Sequence, residues 1–135
     1  MKKRNVWKNI KAPLELHADA RGKIADIFYK EGIQHVAIIE SKKDSLRGDH
    51  YHKQTVQHIL ITKGALEYWH KKFGSRRPAK FEILRVGDLV TTPAFEVHAL
   101  RIIEDNEFVV FTTGIRGGKD YESDTFRVSP SIIPG

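Results

Sequence analysis

The chain has 135 residues, no cysteine, and 23 lysines and arginines against 17 acidic residues, for a formal charge of +6. That length suits one domain that buries enough surface to hold a core, and the lack of cysteine excludes disulfides, thiolate nucleophiles and sulfur-ligated metals. No run of eighteen apolar residues occurs and no apolar stretch follows the basic start MKKRNVWKNI, so the expectation is a soluble, unexported, cytoplasmic protein with no membrane partner.

In chain order, the apolar pieces are IADIFYK, HVAIIE, VQHILITKG, ALEYWHKK, FEILRVG, DLVTTP, VHALRIIE and EFVVFTTG. They are short, rich in Ile, Val, Phe and Thr, and separated by Gly, Pro, Asp or Asn, so each reads as a strand. No segment sustains a helical apolar stripe over three turns. About eight short strands in one domain predict an all-β fold, an antiparallel sandwich or barrel with the jelly roll as leading candidate. Residues 71–80 read as an exposed hairpin loop and the tail SPSIIPG as a segment lying over the surface. The basic clusters MKKR and KKFGSRRPAK lack the interleaved aromatics of a base-stacking surface, so no nucleic-acid partner is expected; a basic rim around a pocket remains open.

The stretch RGDHYHKQTVQHILITKG, residues 47–64, carries the chemistry. Strand alternation puts His50 and His52 on one face and Tyr51 on the other. KQTV is long enough to reverse the chain and return Gln57 on the neighbouring antiparallel strand beside that face, with His58 pointing away. Farther on, GDLVTTPAFEVHAL supplies His98 on another strand whose alternation can aim it inward. Three imidazoles and an amide oxygen suit a divalent ion such as Mn, Fe, Co, Ni or Zn. Without metal, two imidazoles titrating near neutrality suit proton transfer on and off carbon or oxygen. Both chemistries stay open on these residues, and a bare H-x-H is also a common half-exposed strand. His17, His35, His58 and His70 match no motif and read as surface or satisfied core residues. Tyr68 and Trp69 alternate, so packing is the reading for one of them and a pocket floor or interface for the other; Phe95, Phe108 and Phe111 read as core.

The residues together resemble the cupin pattern. HYHKQTVQHILITKG reproduces its first motif as His50, His52, position 57 and Gly64, with Gln57 in place of Glu; Gly87, Pro93 and His98 match the second, with Phe95 in place of Gly and Ile102 in place of Asn. DARGKIAD, residues 19–26, looks like the D-x-R-G-x-F-x-E segment of sugar-nucleotide cupins. RGDHYHKQTVQ resembles the 3,4-ketoisomerases acting on dTDP-4-keto-6-deoxyglucose, and KDYESDTFRV is similar to their ending. RGDHY is also similar to the dTDP-4-dehydrorhamnose 3,5-epimerases and to the cupin domain of capsular-polysaccharide reductases. The resemblance implies a single cupin domain over 1–135 with its barrel core at about 19–128, commonly a homodimer, whose partner is a nucleotide sugar. It implies His50 and His52 as the acid/base pair, shuttling protons between C3 and C4 through an enediol with no cofactor required. It further implies substrate contacts from Arg47, Arg21, Tyr51 and Tyr121. The metal-bearing capsular relatives imply His50, His52, Gln57 and His98 as ligands where an ion is bound. Two other activities remain: a metal-binding cupin of dioxygenase or sugar-phosphate isomerase type, and a non-catalytic sugar-binding module.

Overall fold

Apolar residues alternating at every second position drive this chain into strands. The computed structural model describes residues 1–114 and 122–135. Among them the elements are β1 (Lys2–Asn5), β2 (Leu16–Asp19), β3 (Gly22–Ala25), β4 (His35–Ser41), β5 (Leu46–Tyr51), β6 (Gln57–Lys63), β7 (Ala65–Lys72), β8 (Lys80–Arg85), β9 (Asp88–Thr92), β10 (Glu96–Ile102), β11 (Asn106–Thr112) and β12 (Phe126–Arg127). No helix long and apolar enough to cross a membrane occurs among the described residues.

Two five-stranded antiparallel sheets form the body, one ordered β1-β9-β6-β11-β4 and the other β12-β5-β10-β7-β8, with β2 and β3 making a separate hairpin. The fold is all-β and jelly-roll-like, as the sequence predicts, but the two sheets do not close into one hydrogen-bonded barrel among the described residues. Seven of the eight apolar pieces coincide with β4 and β6 to β11. The exception is IADIFYK, in which only Ile24 and Ala25 belong to a strand, β3. Ile27 and Phe28 instead leave the strand and pack with Val6, Leu60, Leu89 and Phe111 on the outer face of the first sheet. The 71–80 loop is present between β7 and β8. The tail is better fixed than a surface segment, with Ile133 buried and the Ile132 amide bonded to the Asp49 carboxylate at 2.9 Å.

Between the sheets the interior has two ends. Inward positions of β6, β10 and β11 supply Ile59, Ile61, Leu100, Ile102, Phe108 and Val110 to one apolar cluster. The same inward register carries Gln57 at the start of β6 and His98 near the start of β10, so two-residue periodicity places polar groups beyond the apolar plug. Gly64 makes the tight β6–β7 turn at φ +72°, where a Cβ would meet the Asp105 carbonyl at 2.3 Å.

Gln57 reaches the histidines differently from the sequence expectation. β5 and β6 are not neighbours in one sheet; the link from His52 to Val56 crosses from the second sheet to the first. Gln57 therefore faces His52 across the interior of the sandwich. Face-to-face sheets stand about 10 Å apart, and two side chains meeting midway span that gap.

Candidate active site

The cavity is built on a bulge in β5. His50 pairs with His98 and Gly48 with Ala99, so Asp49 is an extra residue with no partner position on β10. Gly48 sits at φ +87° and Asp49 at φ +56°. Only glycine fits at 48, because a Cβ there would stand 2.7 Å from the His98 carbonyl oxygen. The extra residue resets strand alternation, which is why Arg47 and His50, three positions apart, border the same cavity. The tail secures this kink: the Asp49 carbonyl accepts the Val128 amide at 2.8 Å, and its carboxylate accepts Ile132.

His50, His52 and His98 gather as the sequence predicts. Ring centroids of His50 lie 4.6 Å from His98 and 5.0 Å from His52, and those of His52 and His98 are 5.3 Å apart. His98 Nδ1 bonds the Glu96 carbonyl at 3.1 Å, and its ring lies parallel to that of Tyr68 at 6.3 Å. His52 Nδ1 bonds the Asp124 carbonyl at 2.8 Å, and its Nε2 lies 3.1 Å from the Gln57 amide. Phe95 occupies the cupin glycine position at φ +63° and is 45% exposed rather than core. Its N–H donates to the His52 carbonyl at 2.7 Å, tying the two motifs together through backbone.

Beside them lies a cavity of about 290 Å³. His50, His98 and Gln57 form its polar wall, Leu100, Phe108 and Val110 its apolar floor, and Arg47, Glu122 and Arg127 its rim. His52 is 2% exposed and stands behind the wall rather than in it. Arg47 is held by Nε to the Ser41 hydroxyl at 2.7 Å and by Nη2 to the Glu40 carbonyl at 2.9 Å, which fixes the guanidinium at the rim. Glu122 and Arg127 pair at 2.7 Å. A larger groove of about 570 Å³ runs beside β1, bordered by Lys2, Arg4, Lys8 and Lys11, and no histidine reaches it.

The three imidazoles also fit an ion. Among the described residues their donor nitrogens all lie within 4.8 Å of one another. Metal–nitrogen bonds of about 2.0–2.1 Å set tetrahedral ligands about 3.4 Å apart, so the rings would close in by on the order of 1 Å to hold an ion. Nδ1 bonds to carbonyls in His52 and His98 are the outer contacts that orient ligating histidines.

Not every predicted residue is at the cavity. Tyr51 is buried on the opposite face of β5, its ring 4.3 Å from Phe73 and 5.5 Å from Phe126. Arg21 lies in the β2–β3 turn, bonded to Asp19 at 2.7 Å and largely exposed, and is not among the residues bordering the histidine cavity. Tyr121 lies outside the described residues. His58 does point away from the site but is buried, against Phe28 and the Thr91 hydroxyl. Three residues that the sequence reading passed over stand here: Glu122, Asp124 and Arg127. Their signal was the YESD likeness, which drew attention to the tyrosine instead.

Asp124 is held firmly. Its carboxylate accepts the backbone N–H groups of Lys53, Gln54 and Thr55 at 3.0, 2.9 and 2.8 Å. Burial raises its pKa, but these donors outweigh burial and leave it below the ordinary carboxylate value. Next to the cavity, burial pushes the Tyr68 hydroxyl well above its usual range, and that hydroxyl bonds Thr92 Oγ1 and Glu96.

Comparison with known proteins follows the same lines. The family model described as "Polysaccharide biosynthesis C-terminal domain" matches residues 17–126. No curated protein matches the sequence. Among solved structures, a 3,4-ketoisomerase from Helicobacter canadensis is similar at 18% identity and TM-score 0.73, covering 98% of this chain and 95% of that one. The dTDP-4-dehydrorhamnose 3,5-epimerase from Sulfolobus tokodaii is similar at 18% identity and TM-score 0.69, covering 89% of this chain and 76% of that one. The 3,4-ketoisomerase QdtA from Thermoanaerobacterium thermosaccharolyticum, solved with TDP-4-keto-6-deoxyglucose, is similar at 20% identity and TM-score 0.67, covering 85% of this chain and 83% of that one. At these identities the likeness is one of fold.

Proposed function

The chain belongs to the polysaccharide biosynthesis C-terminal domain family, and we propose that it is an isomerase or epimerase acting on a nucleotide-linked 4-keto-6-deoxy sugar by histidine proton transfer. The observation that carries this reading is the convergence of His50, His52 and His98, with His50 and His98 lining a cavity that Arg47 also borders. It is supported by solved relatives that are ketoisomerases and epimerases, one of them holding TDP-4-keto-6-deoxyglucose.

In the reaction, His50, which lines the cavity, takes the proton from C3. The C–H electrons form a C3–C4 double bond as the C4 carbonyl oxygen gains a proton, giving an enediol. Returning a proton to C4, with loss of the proton on O3, leaves the carbonyl at C3; returning it to C3 from the other face, with loss of the proton on O4, restores the C4 carbonyl and inverts C3 instead. Protons and oxidation level balance in both cases. His52 stands behind His50 as the second proton group. Its Nδ1 faces a carbonyl, which only accepts, while its Nε2 faces the Gln57 amide. An amide offers oxygen at one end and N–H at the other, so a half-turn lets Gln57 bond His52 in either protonation state. A glutamate, the cupin residue at this place, would accept only. Arg47 supplies a fixed guanidinium for a phosphate or sugar oxygen.

Incubation with dTDP-4-keto-6-deoxyglucose in deuterated water is expected to exchange hydrogen at C3. No exchange with any nucleotide-linked 4-keto-6-deoxy sugar would overturn the reading. A second reading is favoured by the donor separations given above: a divalent ion held by His50, His52 and His98, with Gln57 as a neutral fourth group, would polarise the carbonyl oxygen as a Lewis acid. Stoichiometric metal in freshly purified protein, lost on His98→Ala, supports it; full activity after chelation removes it. A homodimer belongs to the main reading, supported by exposed Val36 and Ile38 on the edge strand β4, and sedimentation measures it.

A further inference from the structure

We propose that Asp124 is a positioning residue for His52: its carboxylate fixes the 53–55 loop, and its main-chain carbonyl locks the imidazole with the proton on Nδ1 and with Nε2 turned to Gln57. The two contacts come from one residue. The carboxylate takes three backbone N–H groups, from Lys53, Gln54 and Thr55, while the carbonyl takes His52 Nδ1–H at 2.8 Å. A carbonyl oxygen cannot donate, so this bond exists only if Nδ1 bears hydrogen.

The same loop that Asp124 holds begins immediately after His52, so ring and loop are pinned by opposite ends of a single residue. Further anchors keep the segment in place: Lys53 Nζ lies 4.2 Å from the centre of the Phe126 ring, and the Val128 amide bonds the Asp49 carbonyl. A carboxylate is needed because its two oxygens share three donors; an asparagine would offer one oxygen. Sequence separation conceals the arrangement, since Asp124 follows His52 by 72 positions. The catalytic consequence rests on the proton-transfer reading of the site, whereas the tautomer does not.

The test uses the full chain labelled with nitrogen-15 histidine, in which long-range proton–nitrogen correlations distinguish the two ring nitrogens, and His52→Asn identifies the His52 signals. The wild type is expected to show hydrogen on Nδ1 of His52. Asp124→Asn and Asp124→Ala are expected to convert that pattern into a mixture of tautomers. With dTDP-4-keto-6-deoxyglucose, both are expected to lower kcat about 10- to 100-fold with KM little changed. A wild-type spectrum with hydrogen on Nε2 and none on Nδ1 overturns the inference, as does an unchanged tautomer in the Asp124 variants. The wild-type spectrum and Asp124→Asn decide the matter even where Asp124→Ala does not fold. A sugar that never exchanges, beside an intact Nδ1–H signal, sinks the proposed activity and leaves the role of Asp124 standing.

Discussion

The interior of this sandwich holds two polar regions that share one wall, the parallel pair of His98 and Tyr68. On one side, His50, His98 and Gln57 surround an open volume of about 290 Å³. On the other, Tyr68, Thr92, Glu96 and His70 face each other: the tyrosine hydroxyl bonds Thr92 and Glu96, and His70 lies 4.0 Å from Glu96. Both regions put costly polar groups between the sheets. The second is closed at Tyr68 and Thr92, both fully buried, and its Glu96 and His70 reach a surface groove where Glu96 Oε2 takes the Met1 ammonium at 2.6 Å, so its polar groups satisfy one another and serve stability; the first directs its histidines at space a ligand can fill. Polarity between the sheets is thus a poor marker of a site by itself.

Substitutions can break or sharpen that contrast. The largest effect is expected from His50→Ala, which should lower C3 exchange by about 10²- to 10⁴-fold while leaving the denaturation midpoint nearly unchanged, because the ring lines a cavity. Gln57→Glu comes next: an acceptor-only partner favours the doubly protonated His52, and kcat is expected to fall about 10-fold or more with the fold intact. On the closed side the signature reverses. Tyr68→Phe strands the buried Thr92 hydroxyl and takes one partner from Glu96, which keeps the Met1 ammonium, and should cost about 1–3 kcal/mol in denaturant unfolding with exchange activity largely kept.

The pH dependence of stability gives a smaller effect. Burial lowers the pKa of His58 and His70 below the ordinary 6.5, with nearby glutamates offsetting part of it. The fold therefore favours their neutral rings. Their contribution is complete above about pH 6.5 and is lost as pH falls through that value toward the lower folded one. Thermal midpoints measured from pH 7.5 to 5 should decline, and His70→Gln should flatten the decline. The smallest change is Phe95→Gly, which relieves a left-handed backbone worth about 1 kcal/mol but removes the ring near Tyr51, so unfolding free energy should move by less than about 1 kcal/mol.

How much of this was legible beforehand depended on whether the signal was periodic. The seven pieces from HVAIIE to EFVVFTTG read correctly as strands because they are short, rich in Ile, Val, Phe and Thr and bounded by turn residues. The gathering of His50, His52 and His98 read correctly because strand alternation was joined to motif spacing. IADIFYK misled because its apolar residues cover the outside of a sheet, a role that leaves no alternation to find. Gln57 was placed on the right face but the wrong sheet, since a four-residue connection looks alike whether it turns within a sheet or crosses between two. Tyr51 lies opposite the histidines, where its own alternation set it, and not at the cavity that likeness to relatives implied. Asp124 was invisible: its effect runs through a main-chain carbonyl, and no side-chain pattern announces that.

The kink at Gly48 and Asp49 has a consequence for how this chain tolerates change in length. One supernumerary residue is what brings a guanidinium and an imidazole into the same phase of the pleat. Deleting Asp49 would keep every strand and most of the core, yet it would rotate Arg47 to the outside and release the tail at both Val128 and Ile132. Length variation in relatives should accordingly fall in the 73–79 loop, where a residue more or less shifts nothing that faces the cavity.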